Sequence, residues 1–74
     1  MNAHTTNFIV NGNDYFSANL NNGGVRIGLV GSFAYDFPVG HDKFDRAASL
    51  TSEDEVEAMV DEAFGEYGPA VIII

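Results

Sequence analysis

The chain has no cysteine. No disulfide can staple it and no thiolate can hold a metal, which fits a reducing compartment. Bases are almost as scarce. Three Lys and Arg stand against eleven Asp and Glu, for a formal net charge of −8. So negative a surface repels nucleic acid and anionic membranes and attracts basic proteins, although the same charge also serves plain solubility. No apolar run approaches the ~18 residues of a membrane span. The opening Met1-Asn2-Ala3-His4-Thr5-Thr6 lacks the basic and apolar regions of a signal peptide, so a cytoplasmic protein is expected. The 74 residues suffice for a single domain, 1–74. A domain this small has a net stability of only ~3–5 kcal/mol.

Catalytic patterns are missing too. The histidines are His4, near the terminus, and His41, beside Asp42 and Asp45. No Gly-x-Ser-x-Gly elbow is present, and no nucleophile has a base beside it in an oriented arrangement. His41, Asp42 and Asp45 could offer metal ligands, but calcium-loop spacing is absent and Lys43 and Arg46 oppose a cation. Gly24, Gly28 and Gly31 do not form a dinucleotide fingerprint and read as turns or close packing. The aromatics Phe8, Tyr15, Phe16, Phe33, Tyr35 and Phe37 could stack on bases, but without a basic groove they read as core. No enzyme, cofactor or metal site is expected.

What is present is a pattern of strands, one helix and a last strand. Asn7–Val10 and Tyr15–Leu20 read as strands around the turn Asn11-Gly12-Asn13. Asn21-Asn22-Gly23-Gly24 is a second turn. Residues 25–37 alternate apolar and other residues and form one bent strand or two. Residues 38–50 read as an exposed loop from which Phe44 and Leu50 tuck inward. Ser52 is a good N-cap, with Glu55 completing a capping box. Val56, Met59, Val60, Ala63, Phe64 and Tyr67 make an apolar stripe at helical spacing. Gly68 suits a left-handed position past the helix end, and Pro69 stops the helix. Val71–Ile74 reads as a buried strand. The expected fold is α+β: an antiparallel sheet of about four to five strands packed on one helix over 53–67. The order along the chain is β-β-β(-β)-α-β, with the last strand inserted into the sheet. The expected core is Val56, Met59, Val60, Phe64, Ile27, Leu29, Phe33 and Val71–Ile73.

The helix carries the charge. At about 100° per residue, Asp54, Glu57 and Asp61 fall on one flank and Glu55, Glu62 and Glu66 on the other. Ala58 and Gly65 lie between, and Glu53 sits near the apolar edge. Early acids complement the helix dipole. Glu57–Asp61 and Glu62–Glu66 are like-charge i,i+4 pairs, each unfavourable by ~0.2–0.5 kcal/mol. Residues 52–67 hold no base to offset them.

The Asn/Gly-rich hairpins (Asn11-Gly12-Asn13, Asn21-Asn22-Gly23-Gly24) and the unmixed acidic helix Glu53–Glu66 give the chain a style that resembles small phage-encoded anti-CRISPR inhibitors, some of which mimic nucleic acid. The likeness includes no diagnostic motif. It implies an inhibitor that presents Asp54, Glu55, Glu57, Asp61, Glu62 and Glu66 to a basic, nucleic-acid-binding protein such as a CRISPR effector subunit. No direct nucleic acid or membrane contact is implied. The competing expectation is a structural or assembly module, possible as a homodimer through apolar strands, with acidity serving only solubility.

Overall fold

A computed structural model describes residues 5–69 and the backbone of 71–73. Asn11 at φ 51° and Gly12 at φ 82° both have positive φ. That combination defines the tight hairpin turn whose twist suits antiparallel strands. It joins β1 (Thr5–Val10) to β2 (Asn13–Asn19), with Val10 opposite Asn13 and Thr5 opposite Ala18. The Asn21–Gly24 turn, closed by the Gly23 N–H on the Leu20 carbonyl at 3.0 Å, leads to β3 (Val25–Leu29). Residues 25–37 are two strands. β3 ends at a turn in which the Leu29 N–H donates to the Phe33 carbonyl at 2.9 Å, and β4 (Ala34–Phe37) returns antiparallel.

Gly28 marks where these strands meet most closely. A Cβ there would stand 2.3 Å from the Phe33 carbonyl oxygen and 2.8 Å from the Ala34 Cα. Only glycine fits such an approach.

The segment expected as an open loop contains a short helix, α1 (Phe44–Ala48), whose Ala47 is buried. Five residues are too few for a periodic signal. The expected long helix, α2 (Glu53–Tyr67), follows, capped by Ser52, whose hydroxyl accepts from the Glu55 N–H at 3.3 Å. Gly68 ends it at φ 87°, ψ 177°, which is not the left-handed helical conformation expected but an extended one open essentially to glycine alone.

β5 (Val71–Ile73) pairs with β4 in parallel. The helices between β4 and β5 carry the chain back across the sheet, so β5 runs in the same direction as β4. The sheet order is β1-β2-β3-β4-β5, which places β5 beside β4 at the end of the sheet and not inserted within it. The fold is α+β, a four-stranded antiparallel meander with a parallel fifth strand.

The helices cover one face of the sheet. Phe8, Tyr15, Ile27, Tyr35 and Phe37 from that face meet Val56, Met59, Val60 and Ala63 of α2 in the core. Leu29, Phe33, Phe44 and Leu50 pack against it, partly buried. Phe64, expected in the core, is 42% exposed. It lies at the rim of the apolar stripe with its ring 4.9 Å from that of Phe33. The core expected of the Val71–Ile73 side chains falls outside the described residues, as do His4 and Ile74.

Candidate functional site

Both flanks of α2 carry acids, yet their surroundings differ. Glu62 and Glu66 face α1. Lys43 Nζ lies 2.5 Å from Glu66 Oε1 and 3.9 Å from Glu62 Oε2, and Arg46 Nη1 donates to Glu62 Oε1 at 2.5 Å. These bonds hold the Glu62 carboxyl below its ordinary value, chiefly through Arg46, and hold the Lys43 ammonium above its own, chiefly through Glu66. Lys43 also lies over the Tyr67 ring at 5.8 Å from its centroid. The repulsion between Glu62 and Glu66 is therefore compensated, contrary to expectation, by bases sixteen to twenty-three residues upstream. The helix sequence cannot show this because the counter-ions come from another element.

Glu55 is also committed locally. Its Oε1 accepts from the Thr51 N–H and the Thr51 hydroxyl, both at 3.0 Å, and from the Ser52 hydroxyl at 3.3 Å. The capping interaction thus reaches the residue before the cap. The Thr51 backbone and hydroxyl bonds lower the Glu55 carboxyl below its ordinary value.

Asp54, Glu57 and Asp61 remain. Among the described residues no base pairs with any of them, and Asp54 and Asp61 are exposed. Glu57 and Asp61 lie on the side of β1 and β2, whereas Asp54 borders the start of α1's side of the helix, near Arg46, Ser49 and Leu50. The Tyr15 hydroxyl is raised above its ordinary value first by burial, then by the negative charges of Asp61 and Glu57. The third base, Arg26, is bonded through Nε and Nη2 to both oxygens of Asp36, at 2.6 and 2.9 Å. All three bases of the chain are therefore engaged by its own carboxylates.

His41 Nδ1 accepts from the Lys43 N–H at 3.0 Å, and its ring meets Phe37 edge-on. No cluster of three His, Cys, Asp or Glu able to hold a metal occurs among the described residues. An open hollow of about 340 Å³ lies between α1 and the start of α2, lined by Arg46, Ser49, Leu50, Asp54, Glu55 and Ala58. No helix among the described residues is long and apolar enough to cross a membrane. Comparison with family models, curated proteins and solved structures returns no match.

Proposed function

We propose that the protein is a non-catalytic binding protein that presents the Asp54–Glu57–Asp61 flank of α2 to a basic surface. A nucleic-acid-binding protein of the host cytoplasm, such as a CRISPR effector subunit, is the kind of partner this fits. Occupying the site where such a protein holds phosphates blocks nucleic acid without chemistry, as in the anti-CRISPR inhibitors that the sequence resembles. The observation that carries the reading is the division of charge: every base is consumed inside the molecule, while Asp54, Glu57 and Asp61 are among the carboxylates left without a counter-ion.

The spacing sets a scale. With a rise of about 1.5 Å per residue, the three acids are spaced roughly 4.5 and 6 Å apart along the helix. A nucleic-acid strand offers a phosphate about every 3.4 Å along its axis. The row is sparser than a strand, so the site needs further contacts, which Glu55 and the β1–β2 side of the flank can supply. Glu62 and Glu66 are secondary, since a partner's bases would compete with Lys43 and Arg46 for them.

The test is capture of basic nucleic-acid-binding proteins from a host lysate at low salt, with release at high salt or by added duplex DNA. Glu57→Gln with Asp61→Asn should abolish capture and leave the fold intact. Unchanged low-salt affinity of that double variant for the captured partner would remove α2 as the interface.

A further inference from the structure

The sheet has an edge at β1, which stands first in the strand order and has β2 as its neighbour among the described residues. The ladder shows which of its backbone groups are unpaired. The Asp14 carbonyl accepts from the Val30 N–H at 2.8 Å, so Asp14 turns its backbone toward the end of β3. Ile9 stands opposite Asp14 and exchanges no bond with it. In an antiparallel pair such residues alternate with bonded ones. Thr5, Asn7 and Ile9 therefore point their N–H and C=O groups away from β2, while Thr6, Phe8 and Val10 bond theirs to it.

An unpaired row of backbone groups is a template for another strand, and edges are ordinarily blunted by a charged side chain, a proline or a bulge. β1 has none of these. It reads Thr-Thr-Asn-Phe-Ile-Val, and it pairs with β2 one residue to one residue from Thr5 to Val10. β5, at the other end of the sheet, has three residues against six in β1.

We infer that the β1 edge takes up an extended basic segment of the partner as an added strand, a mode of docking that rests on α2 being the contact for a basic protein. Helix α2 lies over β1, and Phe8 and Val10 join its apolar residues in the core. A strand added beyond β1 presents every second side chain on that same face. Those side chains come alongside the flank of α2 that faces away from α1, where Glu57 and Asp61 have no base. The spacings agree. Glu57 and Asp61 are about 6 Å apart along the helix axis, and alternate side chains of a strand are ~6.6 Å apart. Lys or Arg at every second position of the segment meets the two acids, and main-chain bonds to Thr5, Asn7 and Ile9 supply the rest of the affinity. Charge selects this occupant over a second copy of the chain. Two β1 strands paired about a two-fold would bring two Glu57–Asp61 rows toward each other, in chains of net charge −8.

Two short synthetic peptides separate strand pairing from charge. One alternates Lys and Thr. The other has the same sequence with every backbone amide N-methylated, so it keeps the charge and loses the donors. At low salt the first should protect the Thr5, Asn7 and Ile9 amides of the full chain from hydrogen exchange and leave the already bonded Thr6, Phe8 and Val10 amides as they were. The methylated peptide should bind about tenfold more weakly or worse, and Glu57→Gln with Asp61→Asn should weaken the first peptide by a similar factor. Equal affinity of the two peptides overturns strand addition but leaves the acidic surface of α2 standing, because binding is then by charge alone. Unchanged affinity in the double variant overturns the part given to Glu57 and Asp61. Binding of neither peptide overturns the inference, as does protection of Thr5, Asn7 and Ile9 that grows with protein concentration alone, which would assign the edge to a second copy. Failed capture from a lysate with peptide pairing intact removes the nucleic-acid-binding partner and not the strand site.

Discussion

Phe37 and Phe64 are the same side chain in two environments, and comparing them tests how the core is built. Phe37 is fully buried on β4, with the His41 ring 5.2 Å away and edge-on. Phe64 is 42% exposed and leans on Phe33. Truncating a buried phenylalanine to alanine costs ~3–5 kcal/mol, from lost transfer energy and the cavity left behind. Phe37→Ala should incur all of it. Phe64→Ala removes only a little over half as much buried surface and leaves a dent that water fills, so the cavity contribution vanishes. Alanine also favours the helix over phenylalanine by roughly 0.5 kcal/mol. The net expectation for Phe64→Ala is ~1–2 kcal/mol. Urea unfolding followed by far-ultraviolet circular dichroism measures both. With a slope of about 1 kcal/mol per molar, Phe64→Ala moves the midpoint down by ~1–2 M and still folds. Phe37→Ala consumes essentially the whole ~3–5 kcal/mol available to so small a domain. Loss of cooperative folding in Phe64→Ala, or a near-normal midpoint in Phe37→Ala, would refute this account of the core.

The other expectations follow from charge and backbone. Asp61→Lys should keep or slightly raise stability, since the lysine pairs with Glu57 at i,i+4 spacing, whereas Glu62→Lys should lower the thermal midpoint by setting a third base beside Lys43 and Arg46. Gly65→Ala, at an exposed helical position with open space around the added carbon, should stabilise by ~0.5–1 kcal/mol, while Gly28→Ala should destabilise by ~1–3 kcal/mol or more because its Cβ would collide with the Phe33 carbonyl. Glu55 and Glu62 are lowered from 4.5 in the folded state, so the stability they contribute is complete above that value and is lost as pH falls through their folded values; acid unfolding should be blunted in Glu55→Gln. Tyr15 and Tyr35 are raised from 10.0, so folding loses stability as pH rises past 10.0 and through their folded values; in a tyrosine absorbance titration Asp61→Asn should move Tyr15 back towards 10.0.

The elements with a strong local signal were legible in the sequence. Asn11-Gly12 dictates its own turn, and the Ser52 cap, apolar stripe and Gly68-Pro69 stop delimit Glu53–Tyr67 as observed. The features that were not legible depend on tertiary partners. Phe64 sits on the helical stripe, but the sheet beneath ends before it is covered, so periodicity alone overstates its burial. Helix α1 is too short to show a period, and it forms because Ala47 packs into the core and Phe44 against it. Its bases could not be assigned to Glu62 and Glu66 from spacing, since the pairs span sixteen to twenty-three residues. The parallel direction of β5 depends on the path of the crossover, which composition does not encode.

The position of α1 bears on how the acidic helix should be read. If negative charge served only solubility, there would be little reason for the chain to bring two of its three bases, Lys43 and Arg46, to the same flank of α2 and leave Glu57 and Asp61 without one. Ion pairs at such exposed positions contribute little stability on their own. Their larger effect is on the field: they offset two of the four carboxylates beside α1, Asp42, Asp45, Glu62 and Glu66, and leave Glu57 and Asp61, on the side of β1 and β2, without a base partner among the described residues. A basic surface approaching this row also meets that side of the sheet, where Tyr15 adjoins Asp61 and Glu57. The helix flank and the hairpin Asn11–Asn13 are then neighbouring parts of one surface. Substitutions in the hairpin, such as Asn13→Lys, should consequently weaken a partner captured through α2, and a hairpin variant that leaves capture unchanged would confine the interface to the helix.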